Sequence, residues 1–62
     1  MVMNTRTALR NEVIKAIKET YNEKTGRKLS DSDARAMLRG ETDTESYRMA
    51  FNIAREYGLD DF

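Results

Sequence analysis

The chain has 62 residues, enough for one small domain that buries about 60 % of the surface its unfolded form exposes. It contains no cysteine and no histidine, which excludes disulfide bridges, zinc sites of the Cys/His type and the commonest catalytic base. Eleven basic and eleven acidic residues cancel, so no overall charge drives the protein towards nucleic acid or an anionic membrane.

The first predicted element is a long helix over residues 5–25. On a wheel of 100° per residue, its apolar side chains cover an arc of about 160°, and its charged side chains lie opposite. A basic last turn followed by Gly26 is typical of a helix C-terminus. The apolar set is Leu9, Val13, Ile14, Ala16, Ile17 and Tyr21.

A short second helix is predicted over residues 31–39. Ser30 and Asp33 fit the capping-box pattern, in which a hydroxyl residue is followed three positions later by an acid. Gly40 marks the end of the helix. Its inward side chains are expected to be Ala34, Met37 and Leu38.

The third predicted helix covers residues 43–57. Thr42 and Glu45 form the stronger capping box, and Gly58 ends the helix. Leu59 is placed to fold back on the last turn, as in a Schellman ending. The apolar arc spans about 200° on the same wheel. It contains Tyr47, Met49, Ala50, Phe51, Ile53, Ala54 and Tyr57.

These elements predict an all-α protein, a single three-helix domain over residues 1–62 with no strand. A helix packed on one core needs an apolar stripe of roughly 100°, and the first and third helices exceed it. We therefore expect part of their surface to be buried against a second copy or another protein. The alternative is that all of it closes into one three-helix core. The residues expected at the protein interface are Ile14, Met49, Ile53 and Tyr57.

The balanced total charge hides a division along the chain. Residues 1–40 hold nine Lys/Arg against five Asp/Glu, a balance of +4, whereas residues 41–62 hold two against six, a balance of −4. This division favours an antiparallel homodimer in which a basic front meets an acidic back. The alternative is that these charges only solvate the helix faces.

A DNA-binding helix-turn-helix over residues 31–57 is the alternative function. Ala36 and Gly40 have the required spacing, and Arg35 and Arg39 lie one turn apart, where they would contact phosphates. The would-be recognition helix, however, begins with acidic side chains that repel the DNA backbone. The sequence therefore favours a protein partner over DNA.

A second possible anion or nucleic-acid contact is the run from Lys24 to Lys28, in which Lys24, Arg27 and Lys28 flank Gly26. The alternative is a solvated helix ending in which these cations interact with the last carbonyl groups. No aromatic residues alternate with the cations, which argues against single-strand binding.

No catalytic residue, metal ligand set, cofactor or small-molecule substrate is predicted. Asp31 and Asp33 fit a helix start, because the segment lacks the glycine and closing glutamate of a calcium loop. No segment approaches the about 20 apolar residues of a membrane span, and residues 1–13 do not resemble a signal peptide. We therefore expect a cytoplasmic protein without membrane contact.

The sequence thus favours a small non-enzymatic helical module that binds another protein. Small chains without catalytic groups are common among phage- and plasmid-type accessory regulators and inhibitors of host proteins. By this analogy, the partner is either a host target or a second copy of the chain.

Overall fold

The structure is a computed structural model that describes residues 5–59. This part of the chain forms three helices, α1 (Thr5–Thr25), α2 (Asp31–Leu38) and α3 (Thr44–Glu56), and contains no strand. The predicted all-α fold, with a long first, a short second and a medium third helix, is confirmed. The ends of the predicted 1–62 domain, residues 1–4 and 60–62, lie outside the described residues.

The end of α3 follows the predicted Schellman geometry. Gly58 has a φ of 82°, a conformation that costs a residue with a Cβ about 1–2 kcal/mol. Its backbone N–H donates to the carbonyl of Arg55 at 3.0 Å, and the N–H of Leu59 donates to that of Ala54 at 2.9 Å. Leu59 is thereby folded back and is only 3 % exposed. The prediction that it closes the last turn is confirmed.

The other two helices also end at glycines. The same pair of bonds closes α2, with Gly40 donating to Met37 at 3.1 Å and Glu41 donating to Ala36 at 2.9 Å. In α1, the N–H of Gly26 donates one bond of 2.8 Å to the carbonyl four residues earlier. Each reversal of the chain is therefore fixed by backbone hydrogen bonds, as the glycine positions predicted.

The start of α3 differs from the prediction by one residue. Asp43, not Thr42, caps the helix: its carboxylate accepts from the backbone N–H of Ser46 at 3.0 Å and from the Ser46 hydroxyl at 2.8 Å. The Thr42 hydroxyl donates to the same carboxylate at 3.3 Å. A carboxylate satisfies several donors at once and suits the positive end of the helix, so Asp43 takes the capping position. Ser30 caps α2 as predicted, accepting from the N–H of Asp33 at 3.1 Å.

All three helices contribute to one hydrophobic core. At its centre are Val13 and Ile17 of α1, both fully buried. Ala34, Ala50 and Ala54 of α2 and α3 are also fully buried in this cluster, and their small side chains let the helices approach closely. The other buried members are Ile14, Met37, Leu38 and Leu59.

The expectation that Ile14 lies at an intermolecular interface needs correction. Ile14 is 4 % exposed and belongs to the core, because α2 packs over this side of α1. The three predicted inward residues of α2 are all buried, as expected. Within residues 5–59, none of the helices combines the length and the apolar composition that crossing a membrane requires.

A substitution of Ala50 tests the close packing of α3. Ala50→Leu adds three carbon atoms where no exposed surface remains, and we expect it to lower the free energy of unfolding by about 1–3 kcal/mol. Asn52→Leu, at an exposed position of the same helix, is the matched control and should change it by less than about 0.5 kcal/mol. Urea denaturation followed by circular dichroism measures both, and equal midpoints would contradict the packing described here.

The Asp43 cap predicts acid sensitivity. Hydrogen bonds from the backbone and hydroxyl of Ser46 lower the pKa of Asp43 below its ordinary value of 3.8. As the pH falls through that value, the unfolded chain binds the proton first, so the folded state loses stability until the lowered pKa is passed. Asp43→Asn keeps a capping side chain but does not titrate.

Asp43→Asn should therefore change the melting temperature little at pH 7 and reduce its fall between about pH 5 and pH 3. Asp43→Ala is the control that loses the cap itself. Its melting temperature should be lower than that of the original chain both at about pH 5 and at about pH 3. Thermal melts across the pH series measure the effect. An Asn variant with an acid slope as steep as that of the original chain would show that Asp43 does not carry the effect.

Candidate protein-interaction surface

Three apolar side chains of α3 and its C-cap lie one turn apart along one side of the helix. They are Met49, Ile53 and Tyr57, and we call them the α3 ridge. Met49 and Ile53 are half-buried and pack against the core, whereas Tyr57 is 45 % exposed. In the described part of the chain, Tyr57 is the only large hydrophobic residue with such exposure. The ridge thus forms an apolar strip at the border of the core.

One end of the ridge opens into a groove between α1 and α3. The last turns of α1 contribute Tyr21 and Lys24 to this groove, and the first turns of α3 contribute Glu45 and Met49. The C-terminal end of α1 therefore lies beside the N-terminal end of α3. The groove holds one cation and one anion, so it adds the ring of Tyr21 to the ridge without adding net charge.

The opposite side of α3 carries two aromatic rings and an arginine. The rings of Tyr47 and Phe51 are 6.0 Å apart and tilted by 37°, and the Arg55 guanidinium carbon lies 5.9 Å from the Phe51 ring centroid. Tyr47 also lies beside the turn at Gly40. All three side chains belong to α3, so these contacts fix their positions relative to one another. The rings of Tyr47 and Phe51 are half-buried, so this side of α3 also keeps some exposed apolar surface.

Two of the predicted cations of the first turn line different grooves. Lys24 lies in the groove between α1 and α3, whereas Lys28 lines a different groove with Lys18. The backbone of Arg27 is fixed by the N–H, which donates to the Thr25 hydroxyl at 3.1 Å, and by the carbonyl, which accepts from the Asn22 side chain at 3.1 Å. These bonds stabilise the helix ending.

The two arginines of the helix-turn-helix hypothesis also have different surroundings. Arg39 donates to Glu41 from Nε at 3.3 Å and from Nη2 at 2.9 Å, so its charge is compensated. Arg35 instead faces α1. At the start of α3, the carboxylate of Asp43 and the exposed Glu45 occupy the turn that would meet DNA. Acidic side chains therefore occupy the position in which a recognition helix contacts DNA.

Arg35 lines a groove between α1 and α2 that the sequence did not predict. Lys18 contributes a charged pair to this groove, with its Nζ 2.7 Å from Oδ1 of Asp31. The hydrogen bond from Lys18, its charge and the charge of Arg35 lower the pKa of Asp31. The sequence analysis grouped cations that are neighbours along the chain. It missed Lys15, Lys18 and Arg35, which come together because α2 packs on α1. The lining residues are Asn11, Ile14, Lys15, Lys18, Asp31 and Arg35.

No family model, curated protein or solved structure matches this chain. Among residues 5–59, no group of three or more Cys, His, Asp or Glu side chains is placed to hold a metal ion. The geometry of the helix surfaces, above all of the α3 ridge, is therefore the basis for a functional assignment.

Proposed function

We propose that this chain is a small non-enzymatic module that binds another protein through the α3 ridge. The observation that carries the proposal is the continuous strip of Met49, Ile53 and Tyr57, which ends in a tyrosine that is 45 % exposed. Tyrosine and methionine are enriched in protein interfaces, and a rigid helix presents them at little cost in conformational entropy. We propose a second copy of the chain as the partner to test first.

The exposed area of the ridge sets the expected affinity. A standard interface buries about 800 Å² on each partner, out of the 4670 Å² that this chain exposes. Two of the three ridge side chains are already half-buried, so the ridge offers less apolar area than such an interface needs. At about 25 cal/mol per Å², a few hundred Å² contribute several kcal/mol before the costs of association are subtracted. Dimerisation at micromolar concentration fits this balance.

The charge division supports an antiparallel arrangement of the two copies. Within the basic front, α1 carries five cations against three carboxylates, whereas α3 carries two of each and is neutral; the acidic excess of the back lies in Glu41, Asp43, Asp60 and Asp61. Pairing the segment of Glu41 and Asp43 from one copy with α1 of the other brings unlike charges together. Exposed ion pairs contribute about 1 kcal/mol or less each, so they orient the pair while the apolar ridge provides most of the affinity.

The remaining parts of the proposal rest on composition. A chain without histidine and cysteine lacks the commonest general base and the strongest nucleophile, which supports binding over catalysis. We further propose a cytoplasmic location and a role as an accessory regulator. Within that role, a host protein is the alternative occupant of the ridge.

Light scattering over a concentration series tests the homodimer. We expect the apparent mass to rise from 7.2 kDa towards twice that value between micromolar and several hundred micromolar concentration. Ile53→Asp, which places a charge in the middle of the ridge, should weaken the association more than any single reversal of a surface charge. A constant 7.2 kDa at several hundred micromolar would exclude a second copy as the partner.

Because Ile53 is half-buried, a second variant separates binding from folding. Tyr57→Gln removes the exposed ring and should weaken dimerisation while the helical circular dichroism signal stays unchanged. Arg48→Gln, at an exposed position of the same helix, is the matched control and should dimerise like the original chain. Equal association of all three proteins would place the contact elsewhere than on the ridge.

The DNA alternative is tested by fluorescence polarisation on random duplex at low salt. We expect no submicromolar binding, because carboxylates surround the start of α3. Tight binding that weakens steeply with salt, and that is lost in the Arg35→Ala/Arg39→Ala double variant, would reverse the order of the two functions.

A further inference from the structure

The groove between α1 and α2 collects cations from two helices. Lys15 and Lys18 lie three residues apart on α1, and Arg35 reaches the same groove from α2. Its floor includes Ile14, which is 4 % exposed, so the charged side chains stand at the edge of the core. These residues are far apart in the sequence and come together only because α2 packs on α1.

The charges of this groove do not cancel. It holds three cations and a single carboxylate, that of Asp31, which is paired with Lys18 at 2.7 Å. Among the described residues, neither Lys15 nor Arg35 has a carboxylate oxygen within 4.0 Å. The groove between α1 and α3 differs, because Lys24 and Glu45 balance each other there. The residues that line the groove between α1 and α2 therefore carry a net charge of +2.

We propose that the groove between α1 and α2 is a binding site for one phosphate group, with Arg35 as its anchor. The planar guanidinium of Arg35 offers two parallel donors, a geometry that matches phosphate oxygens. Lys15 adds a point charge, and the Asn11 side chain adds an uncharged donor. Lys18 is shared with Asp31 and completes the cationic rim.

The spacing of the cations on α1 suits a single phosphate group. Lys15 and Lys18 are separated by about 4.5 Å along the axis of α1, close to the width of one phosphate group. The chemistry that fits is a phosphate monoester, whose dianion matches the two uncompensated charges. A nucleotide and a phosphorylated side chain both present this group, and the experiment below distinguishes them. The site is separate from the α3 ridge, so it stands whether or not the ridge binds a protein.

Titration of ¹⁵N-labelled protein with inorganic phosphate tests the site. At constant ionic strength, we expect saturable shifts of the signals of Arg35, Lys15 and Asn11 in the millimolar range, with no such shifts from chloride. Arg35→Gln should weaken binding at least about tenfold, the change expected for one charge-assisted hydrogen bond. The matched control, Arg48→Gln, and the ridge variant Tyr57→Gln should both bind phosphate like the original chain.

A second variant should act in the opposite direction. Asp31→Asn removes the carboxylate that competes for Lys18, so phosphate should bind more tightly to it. Shifts no larger than those from chloride, or an affinity that neither Arg35→Gln nor Asp31→Asn changes, would overturn the proposal. Parallel titrations with adenosine monophosphate and phosphoserine identify the source of the group: tighter binding of one assigns it, and equal binding of all three assigns recognition to the phosphate alone.

Discussion

The fold depends on the contact between branched side chains of α1 and alanines of the other two helices. Val13 and Ile17 fill the centre of the core, and Ala50 and Ala54 bring α3 close to them. Because alanine is small, the axis of α3 lies near the core, and the larger apolar residues of that helix must lie along its two sides. One side carries the rings of Tyr47 and Phe51, and the other carries the α3 ridge. The same packing that stabilises the chain thus creates its exposed apolar strip.

The elements could be predicted from the sequence because their signals are local. A glycine with positive φ and a capping oxygen act within about five residues, so the stops at Gly40 and Gly58 and the cap at Ser30 were identified correctly. The cap of α3 was misplaced by one residue because a threonine and an aspartate compete there, and the carboxylate of Asp43 accepts more bonds than a hydroxyl. A sequence motif alone does not show which of two neighbouring residues caps the helix.

The surfaces were predicted less well, because they depend on how the helices pack. A helical wheel gives the direction in which a side chain points but not how deeply it is buried. Ile14 was therefore assigned to an interface, although α2 packs beside it and it is buried. Of the predicted interface residues, Tyr57 is exposed and Met49 and Ile53 lie at the margin of the core. Likewise, chain proximity grouped Lys24 with Lys28, whereas packing joins Lys15 and Lys18 to Arg35. Local sequence patterns thus show which side chains are apolar but not which helix covers them.

The closed helix endings also bear on the rate of folding. Each of the two connections, residues 26–30 and 39–43, is five residues long, and backbone bonds from glycine fix both reversals. Closing such short loops costs little entropy, and proteins whose contacts are mostly local fold within microseconds to milliseconds. Once α3 is free to pack, a chain with such short connections buries Val13 and Ile17 on this timescale. The apolar residues of its core are thus exposed to other unfolded chains only briefly, which limits aggregation during folding.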